Sequence, residues 1–410
     1  MISRIYFFML GCFAMLLVDG CAVKKETVAK ADKVDSSLIK IKLQQRSTFD
    51  FPNDGVSFSN NFLAARLNGV VRENDSTFML IVNAENRPIN SSPWYAFKVW
   101  STKRKNLYLK LSYPDDKHRY DPKISRNGIT WKNVEDVVKS RDKTEATFKL
   151  SVAPDTLLVA AQELASSRSG YQWMDSIARR NALAKEIIGY SINRKPIVAL
   201  HTKSSDGKKI VVVLSRQHPP ETTGYTAMKK FVTTLLSDTE QAIKFRSEYE
   251  LVVIPMVNPD GVDEGNWRHS FAGVDLNRDW IDFKQPETRA IRDYLLDKVK
   301  KQAAKVYFAI DFHSTYDDVL YTNEDRSNTN SPGLVGKWIE GLHQFEGKKQ
   351  TPVRASGNGG NVSKAWFGRV LNAEALTYEV GDETARGYID EKVTKVAEVL
   401  MGLLSLKQKD

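Results

Sequence analysis

Two side chains that commonly bind metal ions stand three residues apart in the stretch RQHPPETTG, residues 216–224. They are His218 and Glu221, and the two prolines between them restrict the backbone and stiffen the loop. The pair follows KIVVVLS at 209–215, an apolar run typical of a strand that is buried on both faces. Imidazole and carboxylate groups are good Zn²⁺ ligands, and a catalytic zinc usually takes three protein ligands plus water. The pair therefore needs a third ligand.

His313 meets this requirement because it ends KVYFAIDFH, a second buried apolar stretch. In α/β sheets, ligands bind at the carboxyl ends of the strands, so the three side chains are expected to meet at one sheet edge. The remaining histidines are predicted to be structural or on the surface; they are His118, His201, His269 and His343.

Acidic and basic residues elsewhere have the chemistry to complete a hydrolytic site. Glu379 ends the apolar segment ALTYEV and could act as a general base. Arg268 and Arg278 lie in NWRHSFAGVDLNRDW, residues 266–280, and arginine suits both the capture of a carboxylate and the stabilisation of an oxyanion. Asp275, in the same stretch, could orient a metal-bound histidine.

Structural roles are the alternative for each of these residues. Glu221 could cap the helix that it opens, as acids often do at that end. The two arginines could form an ion-pair network with Asp275. Glu379 could pair with Arg386.

Seven short motifs in order make the sequence resemble the zinc metallocarboxypeptidase family over roughly residues 155–405. The motifs are RQHPPE, NPDG (258–261), NWR (266–268), GVDLNRDW (273–280), DFHS (311–314), ASG (355–357) and YEVGDET (378–384). Each motif is short, and their common order carries the resemblance. SPWYAFKVW, in the region before them, resembles the N-terminal domain of the cytosolic carboxypeptidase branch.

The resemblance implies a role for each matched residue and one zinc ion per chain. The zinc would be bound by His218, Glu221 and His313, and Asp275 would support His218. Glu379 would deprotonate the zinc-bound water and pass the proton to the leaving amine, while Arg268 would stabilise the oxyanion. The substrate's terminal carboxylate would be held by Asn277 and Arg278. The chain departs from the pancreatic pattern at Val353, where a tyrosine is expected. The neighbouring Arg354 is predicted to bind substrate, and with Lys364 it could favour an acidic terminal residue. Alternatively, both side chains point into solvent.

The elements that must position these residues fall into two compositional parts. Residues 49–154 contain short strands with period-two alternation and turn-rich breaks, which predict an antiparallel β-sandwich domain. Leu107, Leu109, Leu111 and Tyr113 should share one face of a strand. Residues 155–410 alternate apolar strands with amphipathic helices, which predicts an α/β domain with a mixed, mostly parallel sheet flanked by helices. The resemblance implies that this is the catalytic domain.

The N-terminus is predicted to be a targeting segment. An apolar run from Ile5 to Val18 leads to LVDGC, so residues 1–20 resemble a bacterial lipoprotein signal peptide with Cys21 as the lipidated residue. An ordinary secretory signal is the alternative. Residues 21–48 are predicted to be a polar tether. The interpretation places the protein in the bacterial cell envelope, lipid-anchored to the membrane; the outer membrane is favoured, with the protein facing the periplasm.

The charge and the cysteine count of the chain restrict the classes of function that it can have. The net charge of +10 is spread over scattered basic residues, and without a nucleic-acid motif it does not indicate nucleic-acid binding. Once Cys12 is removed with the signal, Cys21 is the only cysteine, which excludes an intramolecular disulfide. We therefore predict a zinc-dependent carboxypeptidase that acts on peptides or muropeptides with a free C-terminal carboxylate. A murein stem-peptide carboxypeptidase or amidase, and a non-catalytic binding lipoprotein on the same scaffold, are the alternatives.

Overall fold

Two β-sheets form the first part of the chain in a computed structural model that describes residues 36–114, 116–203 and 207–406. The strands are β1 (Thr48–Phe51), β2 (Val56–Ser59), β3 (Gly69–Arg72), β4 (Thr77–Ile81), β5 (Ala96–Ser101), β6 (Lys105–Ser112), β7 (Lys123–Ser125), β8 (Lys132–Asn133), β9 (Val138–Lys139), β10 (Glu145–Val152) and β11 (Leu157–Ala160). They are ordered β1-β2-β5-β11-β7-β8 in one sheet and β3-β4-β6-β10-β9 in the other.

Alternation of side chains explains why these strands enclose a common core. Leu107, Leu109 and Leu111 of β6 are buried with Tyr113, whereas Tyr108 between them is exposed. The prediction that these four residues share a face is confirmed, because successive strand residues point to opposite faces. One strand pair departs from the antiparallel pattern, since β4 runs parallel to β6.

The sandwich extends beyond the boundary predicted at residue 154. β11 pairs with β5 and with β7, so it belongs to the first sheet and not to the α/β domain. The described end of the predicted tether is also bound to the fold. Ile41 is buried, the amide of Lys40 donates to the Phe271 carbonyl at 2.8 Å, and that of Lys42 donates to the Glu85 carbonyl at 2.8 Å.

The second part of the chain alternates strands with helices, as predicted. Its elements are α1 (Ser167–Arg180), β12 (Ala184–Tyr190), β13 (Pro196–His201), β14 (Lys209–Ser215), α2 (Thr222–Leu235), α3 (Glu240–Glu248), β15 (Glu250–Ile254), α4 (Pro259–Glu264), α5 (Pro286–Gln302), β16 (Lys305–Thr315), β17 (Val319–Asn323), α6 (Leu334–Glu346), β18 (Val353–Ser356), α7 (Ser363–Leu371), β19 (Glu374–Gly381) and α8 (Arg386–Leu406). A single 3₁₀ turn, Leu276–Arg278, lies between α4 and α5.

One mixed sheet organises this part, in the order β12-β13-β15-β14-β16-β19-β17-β18. Its central strands β15, β14, β16 and β19 are parallel to one another, whereas β12, β13 and β17 introduce antiparallel pairs. Because β14, β16 and β19 run in one direction, their carboxyl ends lie at the same edge of the sheet.

Helices cover both faces of this sheet, so its central strands are apolar on both sides. Val211 and Val213 of β14 pack into the core formed with α2, α6 and α8. Ile210, Val212 and Leu214 pack into the opposite core, which includes residues of α5 and α7. This two-sided burial is the reason that KIVVVLS is a continuous apolar run.

The predicted signal peptide and Cys21 lie outside the described residues. Within the described part of the chain, no helix has both the length and the apolar character required to span a bilayer.

Helix α2 lies close to the backbone of β16 at Gly224. A Cβ atom at this position would lie 2.2 Å from the carbonyl oxygen of His313 and 2.6 Å from its carbonyl carbon. Both are backbone atoms, so they cannot move aside as a flexible side chain can. Glycine at 224 therefore sets the separation between α2 and the strand that carries His313.

We expect Gly224→Ala to lower the free energy of unfolding by about 1–3 kcal/mol, the usual cost of overpacking a core. The substitution should also displace His313. The measurement is urea unfolding. Gly336→Ala in α6 is the matched control, because no atom lies within 4 Å of its added Cβ. The control should be neutral or stabilising, since alanine is the better helix former. Equal stability of the two variants would contradict this account of α2 packing.

Candidate metal centre

His218, Glu221 and His313 come together at the carboxyl edge of the sheet, as the sequence predicts. His218 lies in the turn between β14 and α2, Glu221 immediately precedes the first residue of α2, and His313 lies near the end of β16. Ligand atoms of the three residues lie within 4.8 Å of one another, and all three residues are buried. Glu221 makes no capping hydrogen bond with its side chain, which argues against a purely capping role.

The two imidazole rings present the same nitrogen to the glutamate. Nδ1 of His218 lies 2.7 Å from Oε1 of Glu221, and Nδ1 of His313 lies 2.8 Å from Oε2. The two Nδ1 atoms are 3.1 Å apart. Two nitrogens and a carboxylate that converge in this way fit the donor set of a catalytic zinc site, which leaves room for a further ligand.

The charge of Glu221 is favoured by its neighbours. Burial opposes ionisation of Glu221 and is the largest influence, but the positive charges and hydrogen bonds of His218 and His313 outweigh it and lower the pKa of Glu221. An ionised carboxylate is the form that binds a cation.

A second carboxylate orients each histidine from behind. Nε2 of His218 lies 2.8 Å from Oδ1 of Asp275, and Nε2 of His313 lies 2.9 Å from Oδ2 of Asp311. Metal-binding histidines commonly direct their other nitrogen to a carboxylate, which fixes the ring and its tautomer. The arrangement at both rings strengthens the fit to a metal.

Sequence reasoning missed Asp311, although a signal was present. Residues two apart in a strand point to the same face, so Asp311 and His313 share a face of β16. Oδ2 of Asp311 also accepts hydrogen bonds from Nε2 of Gln217 and Oγ of Ser363, each at 2.5 Å. Asp311 therefore links β16 to the His218 loop and to the start of α7.

Asp275 connects the metal cluster to the arginine region. Its Oδ2 accepts a hydrogen bond from Nε of Arg268 at 2.7 Å, while its Oδ1 contacts His218. The predicted ion pair between Arg268 and Asp275 thus exists, but it is part of the site and not separate from it. Burial is the largest single influence on the pKa of Asp275 and would raise it, but the charges of His218 and Arg268 together hold this pKa well below its usual value.

Asn277 and Arg278 follow on the same 3₁₀ turn. Oδ1 of Asn277 accepts the amide of Ser363 at 2.9 Å, and its Nδ2 lies 3.5 Å from Nε2 of His313. Nη1 of Arg278 donates to the Asn277 carbonyl at 2.8 Å. The turn therefore places both residues beside the cluster.

Glu379 lies on β19, directly opposite His313 in the parallel pairing of β16 and β19. The residue is partly exposed, but its Oε2 is buried without a hydrogen-bond partner among the described residues. Burial, followed by the charge of Glu221, raises the pKa of Glu379 to about 7. The alternative pairing with Arg386 is wrong, because Arg386 binds Glu163 at 2.6 Å.

Comparison with known proteins gives a family match for part of the chain. Residues 170–335 match the zinc carboxypeptidase family. This part of the chain is therefore similar to zinc carboxypeptidases. Cytosolic carboxypeptidase 3 of Mus musculus is 25% identical over 313 residues, which cover 68% of this chain and 31% of that protein. Cytosolic carboxypeptidase 2 of Danio rerio is 43% identical over 108 residues, which cover 26% of this chain and 15% of that protein. The matches span about a third or less of these relatives.

Solved structures share the fold of both parts of the chain. A metallo-carboxypeptidase from Burkholderia cenocepacia is 20% identical with a TM-score of 0.69, and the match covers 86% of this chain and 98% of that one. A metallo-carboxypeptidase from Pseudomonas aeruginosa in complex with (2-guanidinoethylmercapto)succinic acid is 18% identical with a TM-score of 0.67, covering 85% and 99%. The sandwich therefore recurs together with the α/β domain in these proteins.

Arg354 and Lys364 occupy different environments in the α/β domain. Arg354 is exposed on the edge strand β18, and its predicted contact with substrate stays a prediction. Lys364 is buried on α7, where its Nζ donates to Oδ1 of Asn323 at 3.1 Å and to Oγ of Ser356 at 2.9 Å. Burial lowers the pKa of Lys364 to about 8.

We expect Asp311→Asn to weaken zinc binding by roughly 10- to 100-fold, the usual effect of removing a partner of a metal-binding histidine. Competition with a chromophoric chelator measures the affinity. Asp325→Asn is the control, because Asp325 is exposed and its carboxylate accepts hydrogen bonds from Ser327; this variant should bind zinc as the wild type does. Wild-type affinity in Asp311→Asn would remove Asp311 from the support of the metal centre.

Proposed function

We propose that this chain is a zinc-dependent carboxypeptidase that hydrolyses the last peptide bond of substrates with a free C-terminal carboxylate. The observation that carries the proposal is the position of Glu379 beside the cluster of His218, Glu221 and His313, with a pKa raised to about 7. A carboxyl group with such a pKa can accept and return a proton near neutral pH.

The residues of the chain divide the chemistry between them. His218, Glu221 and His313 would hold the zinc ion, which, when bound, supplies Lewis acidity and lowers the pKa of a water molecule. Glu379 accepts the proton of the attacking water and later returns it to the leaving amine.

Arg268 provides the positive charge for the oxygen that becomes negative during the attack. Its guanidinium group is held through Nε by Asp275 at 2.7 Å, so its orientation is set before substrate binds. Charges fixed in advance stabilise a developing oxyanion without further reorganisation. Asn277 and Arg278, on the adjacent 3₁₀ turn, hold the terminal carboxylate and restrict the reaction to chain ends.

Lys364 favours an acidic side chain on the terminal residue. Its ammonium group is buried and bonded to two neutral partners, Asn323 and Ser356. The preceding residue, Ser363, bonds Asn277 through its amide, so Lys364 lies close to the proposed carboxylate-binding turn. A substrate carboxylate would offset the cost of burying this charge.

The test is mass spectrometry of products after incubation of zinc-loaded protein with L-peptides ending in Glu, Leu or Lys. The same peptides with amidated ends, and muropeptides, form separate arms. Stepwise loss of terminal residues is expected from the free-acid peptides, fastest for Glu, and not from the amidated ones.

Glu379→Gln is the matched control, because it keeps the shape of the side chain but cannot accept the proton. It should retain zinc and lose turnover by several orders of magnitude, and normal turnover would refute its role. Cleavage of muropeptides alone would favour murein remodelling. Zinc binding without cleavage of any substrate would favour a binding lipoprotein.

The proposed location is the bacterial envelope, with a lipid on Cys21. The apolar run before LVDGC supports this proposal. Labelled palmitate should be incorporated into the protein when it is produced in a bacterium, and Cys21→Ser should lose both the label and the membrane fraction. Equal palmitate labelling of Cys21→Ser and the wild type would contradict the proposed lipidation of Cys21.

A further inference from the structure

The loop that carries Arg268 is docked on the sandwich domain. The amide of Ala64 donates to the carbonyl of Asp263 at 2.8 Å. The indole of Trp267 is buried in the sandwich core, and its Nε1 donates to the carbonyl of Trp94 at 3.0 Å. A catalytic-domain side chain therefore completes the core of the other domain.

Glu85 of the sandwich binds three successive amides of this loop. Its Oε2 accepts the amide of Trp267 at 2.8 Å, and its Oε1 accepts the amides of Arg268 at 3.0 Å and His269 at 2.8 Å. Consecutive amides that point inward form a concave site for an anion. Here the anion is a side chain of the neighbouring domain, and it is fully buried.

Arg66 balances this buried charge from the same domain. Its Nε donates to the Gly265 carbonyl at 2.5 Å, and its Nη2 donates to Oδ1 of Asn266 at 2.9 Å. Burial lowers the pKa of Arg66, and the charge of Glu85 opposes that lowering. Arg66 and Glu85 together hold the backbone from Gly265 to His269.

The contacts continue from Glu85 to the metal cluster. Arg268, whose amide Glu85 binds, donates from Nε to Oδ2 of Asp275 at 2.7 Å. Oδ1 of Asp275 contacts Nε2 of His218 at 2.8 Å. The position of the loop backbone thus determines where the guanidinium group of Arg268 can lie.

We propose that Glu85 is a positioning residue for Arg268, so that the sandwich domain forms part of the catalytic apparatus. This inference rests on the proposed carboxypeptidase function for its effect on turnover. The carboxylate is required because glutamine offers one acceptor oxygen and a donor amide. The amide nitrogen cannot accept from the loop, so at least one of the three backbone amides loses its partner. Displacement of a catalytic group by about 1 Å can reduce the rate by roughly 10²-fold.

The experiment combines a double-mutant cycle with hydrogen–deuterium exchange on the full chain. Glu85→Gln, Arg268→Ala and the double variant are compared for kcat, KM, zinc content and backbone exchange across 266–270. Phe78→Leu is the stability control, because the ring contacts of Phe78 are with Phe51 and Phe58 in the sandwich core. Arg66→Lys replaces Glu85→Gln if the latter does not fold.

Glu85→Gln should lower kcat by at least tenfold, change KM by less than about threefold, retain zinc and increase exchange of the 267–269 amides. In the Arg268→Ala background, the same substitution should change kcat by less than about twofold, because residues that act through one group are not additive. Phe78→Leu should show neither the loss of kcat nor the local increase in exchange.

An equal loss of kcat in both backgrounds would overturn the proposal, as would unchanged exchange of the loop. If the wild type turns over none of the peptides, the proposed carboxypeptidase function fails. The exchange measurement alone then decides whether Glu85 positions the loop. Faster exchange in Glu85→Gln than in Phe78→Leu would then still support the hold of Glu85 on the loop. Unchanged exchange of the 267–269 amides in Glu85→Gln would show that Glu85 does not position the loop.

Discussion

The carboxylate of Asp275 is the contact on which the geometry of the site depends. One oxygen contacts the ring of His218, the other accepts from Arg268, and the first also accepts the amide of Asn277 at 2.8 Å. The metal cluster, the proposed oxyanion residue and the proposed carboxylate-binding turn are therefore joined by one group. Because charge-assisted hydrogen bonds are short and directional, these three parts cannot move independently at low energetic cost.

Burial gives these charges their chemical character. Glu221 and Asp275 face positively charged or hydrogen-bonding neighbours, so their pKa values are lowered despite burial. Glu379 is buried at its Oε2 atom without such a close partner and lies near the charge of Glu221, so its pKa is raised. The pKa values of neighbouring carboxyl groups thus differ: Glu221 and Asp275 are held ionised, whereas Glu379 can carry a proton. Such a separation of pKa values is the pattern expected of an acid–base site.

Buried side chains and hydrogen bonds join the two domains at their boundary. Trp267 completes the sandwich core. Glu85 is a buried charge of the sandwich that accepts the amide of Trp267, and Arg66 is a second buried charge that donates to Asn266. Arg119 of the sandwich also donates to Asp382, three residues after Glu379, at 2.8 Å. These contacts explain why the sandwich and the α/β sheet form a single compact unit within the described residues.

Periodicity along the chain predicts several local features correctly. The apolar run that precedes His218 is β14, and the alternating leucines of β6 face the core. Local patterns also lead to errors at the edges of the domains. The predicted boundary at 154 excludes β11, since a four-residue strand after a proline does not reveal its pairing partner. The predicted tether includes residues that bind the fold, because a polar stretch can still form hydrogen bonds through its backbone.

The residue types of the metal cluster and their order along the chain were determined by the sequence alone. His218 and Glu221 are three residues apart, and the parallel strand direction brings His313 to the same edge. Strand periodicity also places Asp311 on the face of His313, a signal that the motifs alone do not carry. The hold of Glu85 on the Arg268 loop could not be inferred from the sequence, since the two residues lie 183 positions apart. Only the tertiary structure decided this contact, because a hydrogen bond depends on distance and direction in space, which sequence separation does not specify.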